Sequence, residues 1–338
     1  DEEALRINLR DNKVQADFDI DMLANYYDPN VLVDSGFTPE EMGGFNPTVV
    51  EEIESEEGDD DAPEPPKEPE TKKGDIYELG EHRLMCGDSV SITDVEKLMN
   101  GKKASFMFTD PPYNLASENK LVAADSNNKM AGKLKASEWD KNFNIVEFLD
   151  TALPFLKEDC SVNICTSHHL APDIWKWMAS WSNHHSYCVW AKTNPMPSLM
   201  KRHWTWNTEL ICYATRGKHI FNFPKEGHAL STWDMSKVAV CDLHPTMKPV
   251  SLVVHAIQHS SNKGQNILDL FGGSGSTLIA CEQTKRKCFM MELSPNYCDV
   301  IVKRWVEYRK KNGRDCVVKR NGLEVDSEIF NKANKKRT

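Results

Sequence analysis

The stretch Asn266-Ile267-Leu268-Asp269-Leu270-Phe271-Gly272-Gly273-Ser274-Gly275-Ser276-Thr277 constrains the fold of this chain more than any other. An apolar run of strand length enters a glycine-rich turn, and Leu278-Ile279-Ala280-Cys281-Glu282 leaves it as a helix start. Strand, glycine turn and helix in that order open an α/β unit, and the missing Cβ atoms let backbone N–H groups come close to a ligand. Two common ligand classes fail on the residues. A P-loop needs Gly-Lys-Ser/Thr, and no lysine follows these glycines; the dinucleotide fingerprint needs a further glycine where Leu278 stands. A turn that lacks both phosphate signatures but opens with Asp269 fits a nucleoside without a pyrophosphate. The next strand, read over residues 287–292, ends in Glu292 about 20 residues beyond the glycines, where a ribose-binding acid is expected.

A second motif sits at another strand end. The run Ala104-Ser105-Phe106-Met107-Phe108-Thr109 is short, apolar and halted by prolines, so it reads as a buried strand that delivers Asp110-Pro111-Pro112-Tyr113 to its carboxyl end. Open α/β sheets bind ligands there. The two prolines form a stiff arm whose carbonyls stay out of any helix. Asp110 adds an acceptor-only carboxylate and Tyr113 a flat ring with a polar tip. Two acceptors beside a stacking ring suit a planar group bearing an exocyclic amine. Such an amine is a weak nucleophile because its lone pair is delocalised into the ring, and accepting hydrogen bonds from both N–H groups draws that pair back onto nitrogen.

With these motifs in place, the sequence resembles the amino-group DNA methyltransferases, in the permuted class where Asp-Pro-Pro-Tyr precedes Phe-x-Gly-x-Gly. A third match, His244-Pro245-Thr246-Met247-Lys248-Pro249, lies directly ahead of the glycine strand, as that order requires. The resemblance covers roughly residues 74–320. It implies a Rossmann-like α/β fold with a mostly parallel central sheet, S-adenosyl-L-methionine as cofactor and an extruded adenine of double-stranded DNA as substrate. Asp110, Pro111, Pro112 and Tyr113 become the catalytic residues, with no metal. Asp269, Phe271, Gly272, Gly273, Gly275, Ser276, Thr277 and Glu292 become cofactor residues. Asp88 joins them as a partner of the adenine amine, with a helix N-cap shared with Ser89 as its alternative, and Thr246 and Lys248 as partners of the cofactor carboxylate. The leading aspartate leans toward adenine N6; N4-cytosine methylation and a non-catalytic DNA-binding regulator are the alternatives.

Charge divides the chain. Residues 1–70 hold 22 acidic and 4 basic residues, whereas residues 71–338 hold 29 acidic and 37 basic, a sign suited to a polyanion. Residues 1–49 resemble the end of a ParB-like domain of the kind fused to phage and prophage methyltransferases. Residues 50–73 read as an acidic, proline-spaced linker, extended and solvated. The catalytic domain spans 74–320, and 321–338 form a basic tail. Ten cysteines without a Cys-x-x-Cys pair argue for reduced thiols in a cytoplasm, and neither a membrane span nor a signal peptide is evident.

Within the domain, strands are read over 76–79, 82–86, 160–165, 186–191 and 209–214, and helices over 95–99, 145–156, 169–181, 250–260 and 295–311. The polar stretch 114–140 is too long for a plain connection and reads as a functional loop. Residues 192–243 read as the DNA-contact and target-recognition region. There Lys192, Asn194, Lys201, Arg202 and Trp204 mix cations, a polar residue and an aromatic in the pattern that suits phosphates and unstacked bases. A homodimer is a further expectation.

Overall fold

Ala104–Thr109 is buried at all six positions, with its side chains divided between two apolar clusters. Phe106 and Phe108 point into one cluster; Ala104 and Met107 point into the other. A strand with no polar face must be covered on both sides, and each large apolar side chain so buried contributes about 1.5–3 kcal/mol. That requirement gives a three-layer architecture, helices on sheet on helices. The computed structural model describes residues 29–38, 59–114, 143–195, 204–224, 228–238 and 247–331.

The strands run in chain order as β1 (Ile76–Leu79), β2 (His82–Cys86), β3 (Ala104–Thr109), β4 (Leu156–Thr166), β5 (His184–Lys192), β6 (Thr208–Arg216), β7 (Thr232–Met235), β8 (Asn266–Asp269), β9 (Lys287–Glu292), β10 (Val318–Arg320) and β11 (Leu323–Val325). They form one sheet in the order β11-β10-β1-β2-β9-β8-β3-β4-β6-β5-β7. The helices are α1 (Pro29–Asp34), α2 (Ile92–Met99), α3 (Ile145–Ala152), α4 (Ala171–Trp181), α5 (Val250–Ser260), α6 (Ser276–Thr284) and α7 (Pro295–Lys311). Helices α2, α3 and α4 fill the cluster that holds Met107, and α5, α6 and α7 fill the one that holds Phe106 and Phe108.

The expectation of a mostly parallel sheet needs correction, because the parallel pairings are confined to the central block β2-β9-β8-β3-β4 and to the edge pair β5-β7. β1, β10 and β11 add antiparallel pairs at one side, and at the other β6 lies antiparallel to both β4 and β5. The physical reason lies in the connections. β1 and β2 are joined by the two-residue turn Gly80-Glu81, and β10 and β11 by Asn321-Gly322, too short for a helical crossover. The end of β5 lies opposite the start of β6, Ala191 against Thr208, so β6 turns back against β5 and against its other neighbour β4.

The element limits follow local chemistry. The Ser91 side chain accepts from the Asp94 N–H to begin α2, and Asn100, at φ 48°, closes it in the left-handed region. Asp88 and Ser89 therefore do not cap this helix. Trp177 is buried, and Trp175 and Trp181 pack against the same cluster, as packing residues should. Asn114 exchanges two hydrogen bonds of 2.9 Å with the Phe143 backbone and so ties the two ends of the loop between them; residues 115–142 lie outside the described residues.

The segment expected to be a solvated spacer is described from residue 59, and there it is bonded to the domain. The Glu70 and Thr71 N–H groups donate to the Asp299 carboxylate at 2.7 and 3.1 Å, and Asn296 donates to the Pro66 carbonyl. The ParB-like stretch is described only over 29–38, as α1 and the turn that follows it. Among the described residues, no helix is long and apolar enough to cross a membrane.

Candidate active site

Strand direction brings the two motifs together. β2, β9, β8, β3 and β4 are mutually parallel, so Asp88, Glu292, the glycine turn and Asp110 all leave the same edge of the sheet. β3 and β8 are direct neighbours, and the Thr109 hydroxyl donates to Asp269 Oδ1 at 3.2 Å. β5 runs parallel to β4, and β6 begins where they end, which puts Lys192, Asn194, Trp204 and Glu209 at that edge as well.

Asp110 is held from two sides. Tyr113 Oη donates to its Oδ1 at 2.7 Å, and Lys248 Nζ donates to its Oδ2 at 2.8 Å. The Lys248 ammonium also lies 3.2 Å from Glu209 Oε2 and 5.2 Å from the centre of the Tyr113 ring. Glu209 in turn accepts from Lys192 Nζ at 2.5 Å. Two acids and two lysines thus form a neutral cluster drawn from β5, β6, the end of β3 and the segment before α5. The Asp110 side chain keeps 26 % exposure against 8 % for Lys248, so the carboxylate, and not the ammonium, is open to a ligand. Each carboxylate oxygen still has a lone pair free.

Burial opposes a charge on Lys248, but the Asp110 and Glu209 carboxylates outweigh it and hold the ammonium above its usual lysine pKa. Burial also opposes ionisation of Glu209, and there the two lysines win, so its pKa is lowered. Burial, reinforced by the Asp110 charge, pushes the Tyr113 hydroxyl well up, which keeps it a donor to that carboxylate.

The glycine turn is built from backbone. Gly272 has no space for a side chain, since a Cβ would lie 2.8 Å from Met290 Cγ and Sδ. Gly273, at φ +51°, would meet nothing, so its missing Cβ leaves open space beside the turn. Its N–H donates to Glu292 Oε2 at 2.8 Å, while Glu292 Oε1 accepts from Ser294 N–H at 2.8 Å. Burial pushes the Glu292 carboxyl up to about 6 against these donors. Asp269 is pushed up to about 7 by burial, opposed by hydrogen bonds from Thr277, the Phe271 N–H and Thr109. The Phe271 ring packs edge-on against Phe148 and Phe143. Open space at Gly273 beside two acids, with no lysine or arginine among residues 269–277 themselves, fits a nucleoside bearing hydroxyls better than it fits a phosphate.

Several residues carry roles the sequence does not announce. Lys248, expected beside the cofactor carboxylate, holds Asp110 and Glu209. Ser276, expected at the cofactor, donates through its hydroxyl to the Lys248 carbonyl at 2.8 Å. Asp88 accepts from the Val90 N–H and takes Asp94 as partner for its own N–H. Glu209 was missed; its signal is a charged residue opening an otherwise apolar strand, Glu209-Leu210-Ile211-Cys212. Of the residues assigned to DNA contact, Lys192 is paired with Glu209. Asn194 is tied to the Lys237 backbone at 2.7 and 3.0 Å, and Trp204 is 97 % exposed. Thr246, Lys201 and Arg202 lie outside the described residues.

Residues 104–303 match the family model described as DNA methylase. The chain is 26% identical over 223 residues to the type II methyltransferase M2.MboI of Moraxella bovis, covering 60% of this chain and 80% of the relative. It is 26% identical over 249 residues to the type II methyltransferase M.HinfI of Haemophilus influenzae, with 64% and 67% covered. Among solved structures, the M1.HpyAVI-SAM complex aligns with a TM-score of 0.51 at 22% identity, over 65% of this chain and 97% of that one, a likeness of fold. The matched span holds both motifs and every strand from β3 to β9, and the chain belongs to the DNA methylase family, whose members take their methyl group from S-adenosylmethionine.

Proposed function

We propose that this chain methylates the exocyclic N6 of an adenine extruded from double-stranded DNA at a specific site. The observation that carries the reading is the Asp110 carboxylate, held by Tyr113 and Lys248 one strand away from the glycine turn. Its two oxygens keep free lone pairs, and the Pro111 carbonyl is withheld from any helix by the ring that follows it. Together they accept the two N–H groups of an aromatic amine, which localises the lone pair on nitrogen. The Tyr113 ring offers a face for the base.

Lys248 and Glu209 fix the acceptor before the base arrives, so little reorganisation is left for the reacting complex. Extrusion costs a few kcal/mol of stacking and pairing. Orientation of amine against donor supplies up to about 7–11 kcal/mol. When bound, S-adenosylmethionine supplies an activated methyl group on a sulfonium, which leaves with the bonding pair as neutral thioether. Glu292, Asp269 and the Gly272–Gly275 backbone are the residues that would hold it, with Asp88 at its adenine end. The nitrogen that gains the methyl carries one proton too many and sheds it to solvent. Trp204, with the cations beside it in sequence, belongs to the DNA face in this reading.

A nucleoside digest tests the base. After reaction of duplex DNA with methyl-labelled cofactor, the label is expected in N6-methyl-2′-deoxyadenosine. Label in N4-methyl-2′-deoxycytidine would replace adenine with cytosine while leaving the amine chemistry in place, and label in 5-methyl-2′-deoxycytidine would refute the reading.

A further inference from the structure

The acidic stretch ahead of β1 reaches the site by a route that its sequence does not suggest. α5 begins directly after Lys248 and Pro249, and no side chain of its own N-terminus caps it. Its first N–H, that of Val250, donates to Asp60 Oδ1 at 2.7 Å, across 190 positions of sequence. One residue earlier, the Asp59 carbonyl accepts from Arg304 Nη2 at 2.6 Å, and Asp59 Oδ2 accepts from Gln283 Nε2 at 2.8 Å. The same guanidinium, 3 % exposed, gives its Nη1 to the Ser274 carbonyl in the glycine turn at 2.9 Å, with the Ser274 and Ser276 hydroxyls each at 3.4 Å. Ser276 Oγ then donates to the Lys248 carbonyl. The backbone around Lys248 is thus fixed from both sides, by Ser276 at its own carbonyl and by Asp60 at the second peptide beyond it.

We propose that Asp60 is a positioning residue for methyl transfer: by clamping the start of α5 it sets the place of Lys248 and, through that ammonium, of the Asp110 carboxylate. The inference rests on the reading of Asp110 as acceptor of the amine hydrogens. A carboxylate at that place does two things at once. It satisfies an N–H that the helix cannot satisfy itself, and it puts negative charge at the positive end of the helix dipole. Arg304 ties the adjoining residue Asp59 to the glycine turn, so the strap, the turn and the lysine move together. The acidic segment is in this account a part of the active-site scaffold, and a change in what precedes residue 59 has a mechanical route to the chemistry.

The test uses the full chain with Asp60→Ala, Asp60→Asn and Asp60→Glu, and Asp110→Ala as control, assayed well below the lowest melting temperature. Methyl transfer to duplex DNA is followed from labelled S-adenosylmethionine, and cofactor binding is measured separately by calorimetry. Asp60→Ala is expected to lower kcat about tenfold with the cofactor Kd changed less than about twofold; Asp60→Asn, which keeps an acceptor oxygen, returns it to within about threefold of wild type. Should the alanine variant not fold, Asp60→Glu, with its acceptor displaced by one methylene, reads the same displacement as a fall in kcat of about threefold. An alanine or glutamate variant that melts earlier yet turns over at the wild-type rate overturns the proposal, as does an asparagine variant no better than alanine. Asp110→Ala separates the two failures. If it transfers methyl at the wild-type rate, the reading of the site falls; if it is inactive while Asp60→Ala is fully active, only the present inference falls.

Discussion

Around Asp110, charged side chains from four separate parts of the chain hold one another. Around Gly272–Gly275 the contacts are made by backbone groups, among them the Ser274 carbonyl that Arg304 holds, by missing side chains and by two acids whose pKa values burial has raised. In the proposed reading the acceptor end needs a full negative charge kept in one place, and a neutral cluster of two lysines and two acids supplies it without leaving a lone charge in the interior. In the same reading the cofactor end needs room and directional hydrogen bonds, and the glycines with the Glu292 carboxylate supply those. The same sheet edge therefore carries one half that fails by losing charge balance and one that fails by gaining volume.

The largest effect is expected in the charged half. Lys248→Met leaves Asp110 and Glu209 without their shared cation, and should cost about 3 kcal/mol of stability in urea unfolding and about a hundredfold in methyl transfer. Adding Glu209→Gln should recover part of the stability and little of the activity; full recovery of both would show that the cluster only holds the fold. In the backbone half, Gly272→Ala forces a Cβ to 2.8 Å from Met290 Cγ and Sδ, and is expected to cost about 1–3 kcal/mol. Gly273→Ala meets no neighbour but must hold φ near +51°, at about 1–2 kcal/mol, so thermal melts of the pair separate crowding from backbone strain.

pH sharpens the contrast from the other direction. The Glu292 carboxyl titrates at about 6 in the folded protein, above the ordinary glutamate value of about 4.3. Burial favours its neutral form, so its contribution to stability is complete below about pH 4 and is lost as pH rises through 6. In the proposed reading the ionised form is the acceptor for the cofactor's hydroxyls. Calorimetry is therefore expected to find S-adenosylmethionine binding weakening up to about tenfold per unit as pH falls below 6, with no matching change above 7. Equal affinity at pH 5 and 7 would remove Glu292 from the cofactor site. The smallest effect lies outside both halves: Trp204→Ala, at a side chain 97 % exposed, should leave stability unchanged and weaken duplex binding by about 1 kcal/mol.

Much of this site was legible because each motif is local. A glycine turn between an apolar strand and a helix, or an aspartate ahead of two prolines at a strand end, is written in a dozen consecutive residues. Strand limits were legible for the same reason, and β1, β2, β3 and β9 follow their apolar runs. What was not legible is the pairing between distant segments. Lys248 lies 138 positions from Asp110, and nothing near either residue records that they meet. The insertion of β6 between β4 and β5 is a choice of neighbours that periodicity does not encode. The strap over residues 59–73 has the composition of a solvated linker, and distant partners such as Arg304, Asp299 and Val250 make it part of the domain.

In the proposed reaction Asp110 is the group that grips the amine hydrogens. Its most direct test is Asp110→Ala, with methyl transfer to duplex DNA and S-adenosylmethionine binding measured on the same folded sample. The expected result is transfer lowered by at least about a hundredfold, with cofactor affinity within about twofold of wild type. Transfer at the wild-type rate with cofactor still bound would contradict it.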